Sequence, residues 1–408
     1  MNILFIHEID WLKKVVFEIH TLSELLSVFG HNVYVIDYES MWEKEHPLDF
    51  GRMRTQVIDN ICRACPNSTV SLRRPGLIKI PGLSRFSAIF TQYCEIRRTI
   101  KEKKIDVIVL YSVPTSGWQA IHLARQFDVP IVFRSIDVLN QMVTSPLLRP
   151  LTRLLEKHVY ARADYILALT PKMTQYVAAL GADPAKVGQL LIPVDTDVFF
   201  PAPPSAKLRQ KWGLTAQDKV ILFMGTLFDF SGLDLLIQRF PEVVKQIPEA
   251  KLLVVGDGPQ RAKLEKIIAE KELQKQVIIT GFQPYNTMPQ YINMATVCIN
   301  TFLVNDTTRD IFPSKIVQYL ACGKAVVATH LPGLAAVISG EEQGVVYANE
   351  IADIPAKISA LLKSAERIQT LERAGLAYAK QKHSNARIAH QLEEKLVEVI
   401  KEKRRERA

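Results

Sequence analysis

Between Arg309 and Gly323 the chain reads RDIFPSKIVQYLACG, which brings an acid, a cation and a carboxamide close together: Asp310, Lys315 and Gln318. Lys315 and Gln318 lie three residues apart and so share one face of a helix. Pro313 suits the first helical position, where a missing N–H costs nothing. The N–H groups of such a start, with the Ser314 hydroxyl and Lys315 beside them, attract phosphate. Gln318, on the same face, can hydrogen-bond a ribose. Gly323 ends the helix, and Ala325–Ala328 then reads as a buried strand. The chemistry suggested is capture of a phosphorylated, ribose-bearing ligand. A plain surface helix packed on a sheet has some of the same pattern.

Other polar clusters follow apolar runs. After Ile3–Ile6 come His7, Glu8, Asp10, Lys13 and Lys14. The first three could meet hydroxyls of an acceptor, and the lysines a phosphate; ordinary loop residues read the same way. Asp137 follows Pro130–Ser135, with Arg134 nearby, and could equally cap a helix starting at Val138. Gly225, Thr226, Ser231 and Gly232 follow Val220–Met224 and offer hydroxyls and backbone N–H groups to phosphate. Gly256, after Lys251–Val255, is read with them as part of the same binding site, although Gly256-x-Gly258 is no dinucleotide fingerprint, because Arg261 stands where a third glycine belongs. Glu18 and His20 read as structural. Cys62-x-x-Cys65 lacks a second pair to complete a zinc site. Asp195-x-Asp197 reads as a turn.

The elements that would position these groups alternate strand and helix. Asn2–His7, Asn32–Asp37, Asp106–Tyr111, Ile131–Ser135 and Tyr165–Thr170 read as strands of a first half, with a helix around Val15–Phe29. A proline-rich stretch, Ile192–Pro204, separates a second half with strands Val220–Met224, Lys251–Val255, Val277–Thr280, Thr296–Asn300, Ala325–Ala328 and Val345–Tyr347. Helices Leu233–Val244, Arg261–Glu270 and Met288–Met294 lie between, and the chain is helical from Asp353. Such alternation implies α/β domains with parallel sheets and right-handed crossovers. Ligands then bind beyond the carboxyl ends of the strands.

Composition narrows the setting. The 408 residues are 48% apolar, enough for two cores, and no run approaches the length of a membrane span. With no signal-peptide pattern at the start, a cytoplasmic protein is expected. The net charge is +9, and Ser71–Lys104 alone sets nine cations against Glu95 and Glu102. Leu77, Ile78, Ile80, Leu83, Phe86, Ile89 and Phe90 are interleaved with them. Basic and apolar residues together suit an anionic membrane surface, reached peripherally at its inner face, or a solvated face over a core helix. No reading motif accompanies the charge, so nucleic acid is not expected.

The stretch Asp310–Gly323 resembles the donor-binding loop and helix of family 4 glycosyltransferases, which have the GT-B fold. The runs Leu180–Pro201, Val254–Pro259 and Ile279–Phe282 carry the resemblance over nearly the whole chain. It implies two Rossmann-like domains whose parallel sheets face a central cleft. The first, 1–196, would be acceptor-side and regain a C-terminal helix, about 384–408; the second, 197–383, would hold a nucleotide sugar. By this resemblance Asp310 contacts the transferred sugar, Gln318 the ribose, and Lys315 with Ser314 the phosphate. Asp137 would be the polar group left at its strand end. The implied activity is retaining transfer from a nucleotide diphosphate sugar to an acceptor hydroxyl, in cell-envelope or lipid-linked glycan synthesis, without metal or other cofactor. The departing phosphate would take the acceptor proton. The pattern also departs from the family. Thr226 and Ser231 replace two cations, Ile136 a histidine, Gln318 a glutamate, and a glycine pair is missing from the first loop. A degenerate sugar-nucleotide or partner binder without turnover therefore stays open, as does a sugar-nucleotide epimerase, for which no acid–base pair is evident.

Overall fold

Each of the first strands has apolar residues on both sides, and both sides are covered. In the computed structural model, which describes residues 1–39, 49–80, 83–139, 143 and 148–407, the chain divides into two compact units. One comprises Met1–Pro193 and Asn385–Ala408, the other Val194–Ser384.

In the first unit the strands are β1 (Asn2–Ile6), β2 (Asn32–Ile36), β3 (Gln56–Ile61), β4 (Val70–Arg74), β5 (Val107–Leu110), β6 (Ile131–Ser135), β7 (Tyr165–Ala168) and β8 (Val187–Gln189). Their order is β3-β4-β2-β1-β5-β6-β7-β8, parallel throughout except for the β3–β4 pair. Helix α1 (Glu18–Val28) and the final helix, Asn385–Arg405, cover one face, where Ile3, Phe5, Val107 and Val109 meet Leu22, Leu26, Leu392 and Leu396. Helices α2 (Leu83–Lys103), α3 (Gly117–Phe127), α4 (Arg149–Tyr160) and α5 (Pro171–Ala179) cover the other, on Leu4, Ile6, Ile108 and Leu110. Successive residues of a strand thus feed opposite cores. Each such fully buried aliphatic side chain contributes about 1.5–3 kcal/mol.

The second unit has β9 (Lys219–Met224), β10 (Ala250–Val255), β11 (Val277–Ile279), β12 (Val297–Asn300), β13 (Val326–Thr329) and β14 (Val345–Ala348), in the order β11-β10-β9-β12-β13-β14, all parallel. Its helices are α6 (Ala206–Lys211), α7 (Leu233–Gln246), α8 (Arg261–Glu270), α9 (Met288–Met294), α10 (Lys315–Ala321), α11 (Pro332–Ala335), α12 (Ile354–Leu362) and α13 (Ala365–His383); the final helix of the chain, Asn385–Arg405, is α14.

In both sheets the chain moves outward in opposite directions from one strand: β1 lies between β2 and β5, and β9 between β10 and β12. At such switch points the loops diverge and leave a crevice at the carboxyl ends. His7 and Tyr111 follow β1 and β5; Gly225 and Thr301 follow β9 and β12.

Three strands are absent from the sequence reading. β3, largely exposed, and the three-residue β8 are edge strands without clear alternation. β4, VSLRR, looks polar yet buries both arginines. Helix α1 begins at Glu18 rather than near Val15. Beyond Leu139, the helix expected from Val138 falls outside the described residues.

Candidate donor and acceptor sites

In the second unit the site is built on strand ends. Tyr319, inside α10, accepts the Met224 N–H through its hydroxyl at 2.8 Å, which pins that helix beneath the end of β9. The chain then turns at Gly225 with φ +140°, where a Cβ would stand 2.9 Å from the Lys315 Nζ. Gly256, after β10, has φ +153°, and a Cβ there would fall 2.0 Å from the Gly225 carbonyl oxygen. The turns after β9 and β10 therefore lie backbone on backbone, with the lysine directly under the first.

Lys315 is held in an unusual way. Its ammonium sits 4.0 Å from the Phe223 ring centre and 4.4 Å from that of Phe302. Among the described residues no carboxylate pairs with it. Burial pushes its pKa from the ordinary 10.5 down to about 7. The aromatic faces offset part of the lost hydration, and an anion at the turn would supply the rest.

The helix itself differs from expectation. It starts at Lys315, not Pro313, because Ile316 and Val317 donate to the Pro313 and Ser314 carbonyls in a tighter first turn. With only seven residues it has a weak dipole, so the cation rather than the helix start carries the attraction for phosphate. Ser314 is exposed beside it. Gln318 donates from Nε2 to the Tyr285 hydroxyl at 3.2 Å, which leaves its carbonyl oxygen to accept. Tyr285 is in turn set by the edge of Phe199. Asp310 lies 3.8 Å from the Arg309 Nε, and Arg309 is half exposed.

Of the two residues standing where cations were expected, Thr226 is exposed at the turn. Ser231 is not available in the same way. It is buried, its N–H bonds the Phe228 carbonyl, and its carbonyl accepts from Thr301. Gly232 follows with φ +65°, pressed against the Thr301 carbonyl. The Asp195 carboxylate accepts the N–H groups of Asp197 and Val198, which makes the expected turn.

The first unit distributes its polar groups differently from the sequence reading. His7 packs between Phe17 and Tyr111, its Nδ1 has no hydrogen-bond partner, and burial lowers its pKa to about 3. Glu8 is engaged by the start of α3, where it accepts the N–H groups of Thr115 and Ser116 at 2.6 and 3.0 Å. Asp10 accepts the N–H groups of Leu12 and Lys13 and pairs with Arg74 at 2.6 Å. These two carboxylates therefore hold loops, a role that positions rather than touches a ligand. Lys13 and Lys14 are exposed.

Deeper in this unit, Arg134 donates twice to Glu18, at 2.6 and 2.7 Å, and Tyr111 donates to the same carboxylate at 3.1 Å. Asp137 lies within their field. Burial and Glu18 raise its pKa, and Lys14 opposes them. His7, Lys14 and Asp137 are thus brought together around a fixed Glu18–Arg134–Tyr111 floor. The signal for this floor was a charged residue inside an apolar strand, IVFRS, which demands a buried partner. A second bracket also escaped notice: Arg63, in the β3–β4 turn, donates to the carbonyls of Trp11 and Lys14.

The basic segment 71–104 is partly internal. Arg73 pairs with Glu95 at 2.7 Å, Arg74 with Asp10 and Asp37, and Lys79 with Asp49 and Glu39 at 2.6 and 3.1 Å. These three cations stabilise the unit and cannot meet a surface. Sequence distance hid their partners. Among the described residues no helix is long and apolar enough to cross a membrane.

Two units, each built on a largely parallel sheet whose strand order switches at one strand, make up the GT-B fold. The solved structures agree. Sucrose-phosphate synthase from Thermosynechococcus elongatus superposes with a TM-score of 0.76 over 98% of both chains at 20% identity. Anabaena Alr3699/HepE, solved with UDP, gives 0.74 over 98% of this chain and 100% of that one at 16% identity. Family models match over both units: "Glycosyl transferase 4-like domain" at residues 52–190 and "Glycosyl transferases group 1" at 204–378. The chain belongs to this family of glycosyltransferases. Its curated relatives include a D-inositol 3-phosphate glycosyltransferase of Segniliparus rotundus, 29% identical over 56% of this chain and 51% of that protein. A GDP-mannose-dependent phosphatidylinositol monomannoside mannosyltransferase of Mycolicibacterium smegmatis is 27% identical over 56% and 61%. The chain spans about half the length of the first of these relatives and three-fifths of the second.

Proposed function

We propose that this protein is a retaining glycosyltransferase that moves a sugar from a nucleoside diphosphate sugar to an acceptor hydroxyl. The unit Val194–Ser384 would bind the donor, and the groups around His7, Lys14 and Asp137 the acceptor. One observation carries the reading: the Lys315 ammonium, held on two aromatic rings under the Gly225 turn, has no carboxylate among the described residues to neutralise it. A cation kept in so costly a place fits a diphosphate, whose negative charge grows as the sugar leaves. Gln318 would accept from a ribose hydroxyl, Thr226 and Ser314 would hydrogen-bond phosphate, and Asp310 would contact the sugar. The departing phosphate would take the acceptor proton, so no strong protein base is needed, and a neutral His7 is compatible with that. No metal or other cofactor is invoked.

The ligands named for similar proteins support a nucleotide donor: HepE was solved with UDP and with UDP-glucose, and the mannosyltransferase is GDP-mannose-dependent. Relatives named as a phosphatidylinositol monomannoside mannosyltransferase and an alpha-monoglucosyldiacylglycerol synthase favour a lipid-linked or cell-envelope acceptor, reached from the cytoplasmic side of a membrane. A panel of uridine, guanosine and adenosine diphosphate sugars read by thermal shift tests the donor site. One nucleotide should raise the melting temperature, and Gln318→Ala should weaken its affinity about tenfold. No shift with any nucleotide would sink the reading. The buried Ser231 favours a second reading, a sugar-nucleotide binder without turnover; binding with neither transfer nor donor hydrolysis would select it.

A further inference from the structure

Helices α2, α3 and α4 lie side by side on one face of the first sheet, α3 touching both neighbours. Each returns the chain between strands that point the same way, so their N-termini align at the carboxyl edge of the sheet. Their outward faces are unusual near that edge. On α2, Leu83, Phe86 and Phe90 recur at helical spacing, with Phe86 74% and Phe90 64% exposed. Trp118 stands at the start of α3, and Leu151 and Leu154 in the first turns of α4, Leu154 63% exposed. Soluble surfaces rarely gather large apolar side chains from three neighbouring elements without a reason.

Apart from Glu102, the exposed charges of these helices have one sign. Arg97 and Lys104 on and just beyond α2, Arg125 on α3, and Arg153 and Lys157 on α4 are exposed. The acids of these helices are otherwise engaged. Glu95 is buried against Arg73, Glu156 is buried and accepts from Tyr160 and Tyr176, and the exposed Glu102 pairs with Arg98. A layer that is apolar at one edge and cationic behind it, with its acids turned inward or paired, complements a surface with an oily interior and phosphate at its boundary.

We propose that the outer face of α2, α3 and α4 seats the protein on an anionic bilayer. Phe86, Phe90, Leu151 and Leu154 enter the boundary between headgroups and acyl chains, and the cations meet lipid phosphates. This deepens the glycosyltransferase reading, on which it rests for the acceptor's chemistry, by saying which surface brings the enzyme to a lipid-linked acceptor. The surface differs from the one read from residues 71–104, since Arg73, Arg74 and Lys79 take no part and α3 and α4 join.

Vesicle flotation of the full chain tests it. Phosphatidylcholine vesicles with about a third phosphatidylglycerol should carry the protein, and pure phosphatidylcholine vesicles much less. The pairs Phe86→Ser/Phe90→Ser and Leu151→Ser/Leu154→Ser should each lower the bound fraction roughly tenfold at low salt. All four positions are exposed, so the nucleotide-induced thermal shift should persist in both variants and serves as the folding control. Absence of flotation by the wild type at low salt, or equal flotation of the variants, overturns the proposal. So does a wild type that ignores vesicles but forms a concentration-dependent oligomer lost in the serine variants, which would make the face a protein interface. A missing nucleotide shift with intact flotation would instead count against the donor site alone.

Discussion

Replacing Lys315 by Met tests the donor site where the structure is most specific. Methionine keeps an unbranched chain between Phe223 and Phe302 and makes favourable sulfur–aromatic contacts. In the free protein the lysine titrates near 7, against an ordinary 10.5, because burial disfavours its charge. A diphosphate favours the charged form, so donor binding should draw a proton onto Lys315. The uptake should be about half a proton at pH 7 and roughly 0.4–0.8 of one at pH 8. From pH 7 to 9 the charged fraction of the free protein falls steeply, and donor affinity should fall with it by roughly five- to twentyfold, limited by how well the neutral form still binds. Calorimetry with the nucleotide sugar, in buffers of different ionisation heat, reads the proton directly; the diphosphate diester does not itself titrate in this range. Removing the cation should weaken binding about ten- to a hundredfold, the range of one charge-assisted contact. Stability should move the other way. The folded-state pKa lies below the unfolded one, so between pH 7 and 10.5 the unfolded chain binds more protons and wild-type stability rises with pH. Lys315→Met should therefore be more stable than wild type at pH 7, by about 2–4 kcal/mol after allowing for the lost cation–π contacts. The gain should shrink towards pH 10.5. A variant that keeps donor affinity, or a wild type that takes up no proton at pH 8, refutes the reasoning.

Other consequences are simpler. Gly225→Ala would place a methyl 2.9 Å from the Lys315 Nζ in a backbone conformation foreign to alanine; it should weaken nucleotide binding about tenfold or more, read by the same calorimetry. Arg134→Met should destabilise the protein by roughly 3–5 kcal/mol in urea unfolding, because Glu18 is left charged and buried, and adding Glu18→Gln should restore part of that. No recovery in the double variant would mean that packing, not charge, makes that site.

Much of the second unit was legible from the sequence because its groups are local. Lys315, Gln318 and Gly323 fall within one short helix and its cap, and the glycines follow apolar strands that are nearly free of polar residues. The length of that helix was not legible, since a tighter turn at Pro313 and Ser314 preserves the same pattern. Nor was the aromatic cradle, because Phe223 on β9 and Phe302 in the loop after β12 are separated in the chain by β10 and β11 with their helices. The first unit was harder. Glu8, Asp10, Arg73 and Arg74 look like surface chemistry in one dimension, and only folding supplies Thr115, Ser116, Asp37 and Glu95 as their partners. Charge runs read from sequence miscount surfaces whenever such long-range pairs exist.

The resemblance to family 4 implies two loop cations where this chain has Thr226 and Ser231, and that substitution has a measurable signature. Cations on exposed loops act through water and are screened by salt. A cation between aromatic rings acts through a poorer dielectric and is screened less, but its charge is lost within the physiological pH range. Donor binding here should therefore depend weakly on salt and steeply on pH. Raising salt from about 50 to 500 mM should lower affinity by less than roughly threefold, against the five- to twentyfold expected between pH 7 and 9. The opposite pattern, strong salt dependence with a flat pH profile, would move the phosphate to exposed cations such as Arg309 and leave Lys315 a structural role under the Gly225 turn.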